Sequence, residues 1–222
     1  MYSQITQGKI TYERRTNLYK KFKNDSYVKE WLREEDKNKI DVFELYFNDT
    51  ISAFKPQESD LVEKMSWATS KNVVYQNYKT KQRYTEKKIW GEHFVLLDSV
   101  RKFQWKITDS KRNICGYQCR KAIWNVNDST RIYAWFCLEI NNSIGPESIL
   151  GLPGAILGLA TEDGGVIYFA KSVEVKAPES SVFVPKKAKK TYQESELKAQ
   201  LEKEFGKEKW GKAMIFNNFA IW

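Results

Sequence analysis

The run Gly151-Leu-Pro-Gly-Ala-Ile-Leu-Gly-Leu159 decides the reading of this chain. Pro153 has no backbone N–H, so it fits a strand start or a sheet edge. Gly151, Gly154 and Gly158 carry no side chain, so a neighbouring backbone or a bulky ring can come close. Leu152 and Ile156 flank them as apolar positions, and Ala155-Ile-Leu157 reads as a short buried strand. Thr161-Glu-Asp-Gly-Gly165 follows, with Asp-Gly at its centre, a hairpin-turn signal. Val166-Ile-Tyr-Phe-Ala170 then returns as the partner strand, running on to about Val175. A phosphate-cradling glycine loop fits poorly, because no Lys-Ser/Thr follows and no helix opens after the glycines.

The same run resembles the signature of the GLPGLI family, with Ala155 standing where that hexapeptide has a leucine. Other pieces resemble the family in the expected order: Lys9-Ile-Thr-Tyr12, Trp105-Lys-Ile107, Gly116-Tyr-Gln-Cys-Arg-Lys-Ala122, Ala134-Trp-Phe136 and Ile144-Gly-Pro146. The likeness ends near Lys176. It implies an exported protein of Gram-negative bacteria, of unknown function, with no catalytic residues to carry over.

The chain has 222 residues, enough to bury a full core in one domain. Aromatic residues make up 14% of it, which favours strands. The formal net charge is +9, which suits an anionic partner or surface. No apolar run approaches the ~20 residues of a membrane helix. Met1-Tyr-Ser-Gln4 offers no basic or apolar segment of a signal peptide. Either the protein is cytoplasmic or a leader has been removed; the family resemblance implies the second, a periplasmic or exported location.

Strands are expected over Gly8–Arg14, Asp41–Phe47 and Ile51–Phe54, with a helix from Ser26 to Lys37 between the first two. Asp60–Met65 is a candidate helical piece. From Val73 to Val100 the pattern reads as two or more strands. Within it, Lys79, Lys81 and Arg83 fall on one face of an expected strand. Residues 79–121 hold 12 Lys and Arg against 4 Asp and Glu. That face suits an anionic head group or, as the weaker reading, a nucleic-acid backbone. A solvated edge strand, where lysines block edge-to-edge pairing, is the plainer reading of the same face.

Phe103–Ile107 and Ile114–Val126 read as strands joined through Thr108–Asn113, and Arg131–Ile140 returns after a turn at Asn127–Ser129. Facing positions of an antiparallel pair sum to a constant. For a turn centred on Asp128 that constant is 256, the sum of 119 and 137, so Cys119 and Cys137 face each other. Facing Cβ atoms lie ~4.5–5.5 Å apart, close to disulfide range. A turn centred half a residue later offsets the pair, and buried thiols behaving as small hydrophobes are the alternative. Cys115 is left over, and Cys115-Gly-Tyr-Gln-Cys119 lacks the spacing of a zinc or redox site. We expect no metal and no cofactor.

Catalysis by Ser or Cys would have to use the one histidine, His93, as base, and no nucleophile-elbow motif appears. We therefore expect no catalytic residues and no enzyme. After Ala177-Pro178 the character changes. A basic run, Pro185–Lys190, precedes a helix opened by Thr191-Tyr-Gln-Glu194, with Leu197, Leu201 and Phe205 on one stripe. Met214–Phe216 and Phe219–Trp222 read as an extended segment docked on the sheet.

The expected architecture is mainly β. Residues 1–176 form a curved antiparallel sheet or half-barrel of eight to ten strands, and 177–222 form a basic linker, helix and C-terminal segment packed on it. By analogy this is similar to carriers of lipoproteins across the periplasm. The function expected is a non-enzymatic binding or accessory protein, holding a lipid-like ligand or serving an outer-membrane protein. The alternative is an envelope interaction module with a filled interior.

Overall fold

The computed structural model describes residues 4–59, 63–128 and 130–219. Its frame is one sheet of eleven antiparallel strands. In chain order these are β1 (Gly8–Asn17), β2 (Asn38–Phe47), β3 (Ile51–Pro56), β4 (Val73–Asn77), β5 (Gln82–Ile89), β6 (Glu92–Ser99), β7 (Lys106–Ile114), β8 (Tyr117–Asn127), β9 (Thr130–Cys137), β10 (Ala155–Thr161) and β11 (Val166–Glu174). Every strand pairs with its neighbour in sequence, except that β1 closes against β11 and β6 and β7 are the two edges.

That strand order forces curvature. Laid flat, ten inter-strand steps of ~4.8 Å would separate the edges by roughly 48 Å. Only residues 100–105 link β6 to β7, and seven Cα steps reach about 25 Å at most. The sheet therefore curls into an open half-barrel, as the succession of hairpins implied. It has eleven strands where eight to ten are expected, since Val73–Val100 holds three of them, β4 to β6; the connection expected at Thr108–Asn113 is itself part of β7. The turn there is Cys115-Gly116, both with positive φ, and Asn113 Oδ1 accepts from the Gly116 N–H at 3.0 Å. Two successive residues in that conformation make the tight turn that two-residue hairpins use.

Strict alternation sorts the side chains. Ile10, Tyr12, Arg14 and Thr16 of β1 point into the curve, as do Lys39, Asp41, Phe43, Leu45 and Phe47 of β2. Apolar residues fill one end of the concavity. Phe43 and Phe54 stack at 4.8 Å, with Tyr12 and Tyr168 tilted against them at 6.1 to 6.4 Å. The glycine-proline run enters this core. Leu152 and Ile156 are buried, and the Tyr12 hydroxyl donates to the Ile156 carbonyl at 2.7 Å. Pro153 stands two residues before β10, where no ladder N–H is needed. Gly151 donates its N–H to Ser143 Oγ at 2.8 Å. Gly154 lies where a Cβ would sit 1.9 Å from the Cys137 carbonyl oxygen, the close backbone approach its lack of a side chain permits.

Helices fill the connections. α1 (Leu18–Lys21) and α2 (Ser26–Trp31) link β1 to β2. α2 is shorter than the expected helix and is capped by Asp25, whose Oδ1 accepts from Val28 N at 3.0 Å. Of the candidate helix at Asp60–Met65, residues 60–62 lie outside the described residues, and a short 3-10 turn follows at Ser66–Ala68.

The tail wraps around edge β6. Phe183 packs with Ala53 and Tyr75, which have the opposite strand parity to the inward residues. Tyr192 then pairs with β6, accepting from Leu97 N at 2.8 Å and donating to Val95 O at 2.9 Å, which covers an otherwise unpaired edge. Beyond it, α3 (Glu194–Phe205) and α4 (Lys209–Phe219) pack Leu197, Leu201, Met214 and Ile215 onto Ile89 and Leu96. Met214–Phe219 is thus helical and not extended, because folding its apolar residues onto one helix face lets α4 seal against α3; Ala220–Trp222 lie outside the described residues.

Candidate functional site: a charged interior

The concave side changes from apolar to charged along β1 and β2. Arg14 and Asp41 face each other across the two strands. Arg14 Nη2 and Nε donate to Asp41 Oδ2 at 2.7 and 3.2 Å, and Thr69 Oγ1 donates to the same oxygen at 2.9 Å. Lys39 and Lys71 stand 3.3 and 3.6 Å from Asp41 Oδ1, and both also pair with Glu63. Burial opposes ionisation of Asp41, but Arg14, Lys39 and the hydrogen bonds outweigh it and hold the carboxyl well below its ordinary range.

Glu147 closes this network from the far side. It lies in a 3-10 turn, Pro146–Ser148, directly before the glycine-proline run. Glu147 and Ser148 have φ values of 52° and 67°, two successive non-glycine residues in the left-handed region. Such residues cost on the order of 1 kcal/mol or more each and persist only where their surroundings hold them. Here Tyr168 donates to Glu147 Oε1 at 2.9 Å, Arg14 Nη1 approaches it at 3.5 Å, and Gln76 Nε2 donates to the Ser148 carbonyl at 3.2 Å. Burial, then the Glu147 charge, raises the Tyr168 hydroxyl well above its usual range, so it serves as a donor.

A second charged group adjoins it. On β5, Arg83, Thr85 and Lys87 point inward. Arg83 Nη2 reaches Glu194 Oε2 at 3.1 Å and Asp98 Oδ2 at 3.3 Å. Arg101 Nη2 holds both oxygens of Glu194 at 2.5 and 2.6 Å. The N–H of Glu194, at the start of α3, donates to Asp98 Oδ1 at 3.2 Å. Lys87 Nζ donates to the Asn218 carbonyl at 2.7 Å near the end of α4 and sits over the Phe219 ring. Narrow clefts of about 20 and 40 Å³ run between the two groups and share Asn72 and Glu147 in their walls.

The expected face of Lys79, Lys81 and Arg83 is not formed. Lys79 and Lys81 occupy the β4–β5 turn, Lys81 with φ 56°, while Arg83 is inside the sheet. Asn77 Oδ1 accepts from the N–H groups of Lys79 and Thr80, which starts the turn where the alternation alone suggested a strand. His93 is exposed on edge β6. Cys119 and Cys137 are register partners, but not through the turn expected: Asn127 pairs with Thr130, a sum of 257, and a register shift between Asn125 and Asn127 restores the sum of 256 that brings the cysteines face to face. Both are buried free thiols in this structure, pushed up to about 12 and about 11, chiefly by burial. Cys115 is in the β7–β8 turn, its thiol donating to the Ala170 carbonyl at 3.0 Å, so it shares no strand face with Cys119. Among the described residues no group of three or more His, Cys, Asp or Glu is placed to hold a metal.

Sequence reading missed Arg14, Asp41, Glu147 and Tyr168. Parity could have found the first two, since they share the inward face of β1 and β2 with Ile10, Tyr12, Phe43, Leu45 and Phe47.

No protein-family model and no curated protein matches the chain. Its fold is similar to solved structures of PNGF-II in the C2 and P21 space groups. The first gives a TM-score of 0.56 at 20% identity over 96% of this chain and 33% of that one. The second gives 0.55 at 18% over 84% and 32%. The chain thus spans about a third of those proteins, and the likeness is one of fold.

Proposed function

We propose that this chain is a non-enzymatic binding or accessory module of the exported compartment or cell envelope, working through its surface around a filled interior. The observation that carries this reading is the filling of the half-barrel. Stacked rings occupy one end and ion pairs the other, and the clefts of about 20 and 40 Å³ left between them fall far below the ~300–1,000 Å³ of a pocket for an organic ligand. A curved sheet holding a lipid-like ligand would need that space left open, so the filled-interior module is the better supported of the two functions expected.

Two positive features support a non-catalytic reading. The one histidine sits exposed on an edge strand, and the two buried thiols stay protonated near neutral pH. The outward surface offers a docking edge at β7, which is exposed over most of its length and carries Lys106, Lys111 and Arg112. An open depression of about 730 Å³, walled by Lys111, Arg120 and Leu138, lies beside it.

The test is native mass spectrometry of protein isolated from its own cell envelope, alongside Lys106→Glu/Lys111→Glu/Arg112→Glu. A protein partner bound in fixed stoichiometry and released by the triple substitution is the result expected. A co-purifying lipid, retained by the triple variant, would overturn the filled-interior reading.

A further inference from the structure

We propose that the space beside Arg83 is a binding site for one small oxyanion of phosphate or sulfate size, held by Arg83, Lys87 and Arg101. This site is independent of the surface-docking role. Arg83 is 4% exposed, and its Nε is buried with no hydrogen-bond partner among the described residues, although its Nη2 is fully engaged with Asp98 and Glu194. A buried guanidinium N–H left unpaired is costly, and a bound acceptor relieves that cost.

Lys87 points into the same space and forms no ion pair among the described residues; its Nζ has only the Asn218 carbonyl and the Phe219 ring. Thr85 and Asn72 add polar groups to the wall. The carboxylates there are already committed. Glu194 is held by Arg101 and Arg83, and Glu147 by Tyr168 and Arg14. With Asp98 also on Arg83, three carboxylates balance the three cations here, so the case for an anion rests on the donors left free, Arg83 Nε and the Lys87 ammonium.

The volume suits the ligand. About 40 Å³ is free, against the ~10–15 Å³ that one water requires. That is room for one tetrahedral oxyanion or a few waters. Guanidinium and ammonium groups are the side chains that bind oxyanions. Phe219 and the strained Ser148 turn help wall the space, which favours a free ion over the head group of a lipid anchored elsewhere.

The experiment is calorimetric titration of the full chain with inorganic phosphate and with sulfate, replacing chloride at constant ionic strength. We expect saturable binding of one ion per chain, weakened at least tenfold in Lys87→Met and unchanged in Lys79→Met, which alters the neighbouring turn. Arg101→Met, at a more exposed position, is the second variant should Lys87→Met fail to fold; it too should lose at least tenfold. Absence of saturable heat, or equal affinity in the wild type and the folded interior variants, would overturn the proposal. Vesicles containing phosphatidylglycerol are the remaining arm. Lys87-dependent vesicle binding in preference to phosphate would reject the free-ion assignment.

Discussion

Arg14 Nη2 lies 2.7 Å from Asp41 Oδ2 on the next strand, with both side chains almost wholly removed from water. Each charge keeps a weaker partner when the other is removed, Asp41 having Lys39 and Lys71 and Arg14 having Glu147. Arg14→Met or Asp41→Leu should therefore each cost about 2–3 kcal/mol, read from urea unfolding at pH 7, below the cost of a wholly unpaired buried charge. The double variant should be more stable than the sum of the single losses predicts, because the surviving charge goes too. Strictly additive losses would contradict a coupled pair. The pH dependence has a fixed sign. Asp41 has its carboxyl held low in the fold, so its contribution is present above about pH 4 and fades as acid protonates it. Asp41→Asn should flatten the acid limb of the stability curve.

Gly154 tests the glycine-proline run directly. A methyl group there would sit 1.9 Å from the Cys137 carbonyl oxygen and 3.3 Å from that of Ile140. Backbone would have to move, so Gly154→Ala should destabilise by on the order of 2–4 kcal/mol. Gly91→Ala is the comparison: it meets nothing within 4 Å, and its cost comes only from its φ of 84°. Equal melting temperatures for Gly154→Ala and the wild type would show that β9 and β10 are not packed as closely as described.

The cysteines divide by environment. Cys115 is exposed in its turn, whereas Cys119 and Cys137 are buried with thiols pushed up to about 12 and 11. Since thiolate is the reactive form, alkylation of the folded protein at pH 8 should mark Cys115 at least tenfold faster than the other two. Denaturant should equalise the rates. Because Cys119 and Cys137 face each other, slow oxidation with glutathione should join those two and leave Cys115 out, as non-reducing peptide mapping would show. A Cys115-containing bridge would refute the register.

What could be read from the sequence was local pairing. The Asp-Gly turn and the glycine-proline strand follow from short-range rules, and the structure has both; the facing of Cys119 and Cys137 is expected from the turn alone, whereas it depends on a register shift between Asn125 and Asn127. The charged interior did not emerge, because its members come from β1, β2, β5, β11, the turn at Glu147 and the N-terminus of α3. No hairpin arithmetic links β1 to β2, since α1 and α2 intervene and free their register from any turn. Lys79 to Arg83 misled for the opposite reason. Alternating charge over seven residues is compatible with a strand, and only the Asn77 side chain, bonding into the following turn, separates the two readings.

Lys21 supplies the sharpest pH test. It lines the smaller cleft with Arg14 and Glu147 and forms no ion pair among the described residues. Burial, then the Arg14 charge, pushes its ammonium down to about 8, with Asp41 acting weakly the other way. Between pH 8 and its unfolded value near 10.5 the unfolded chain therefore binds more protons than the fold, and this residue's effect on stability becomes more favourable as pH rises. Cys119 and Cys137 act oppositely, since their unfolded thiols ionise near pH 9 while the folded ones remain protonated. The whole-protein curve mixes both, but the difference from Lys21→Met isolates the lysine. At pH 7 that variant should be more stable by about 1–2 kcal/mol, after allowance for partial solvent screening. The advantage should shrink steadily towards pH 10.5, measured by urea midpoints at pH 7, 9 and 10.5. A variant less stable than the wild type at pH 7 would mean that Lys21 has a carboxylate partner in solution, and the charge arrangement of the interior would have to be redrawn.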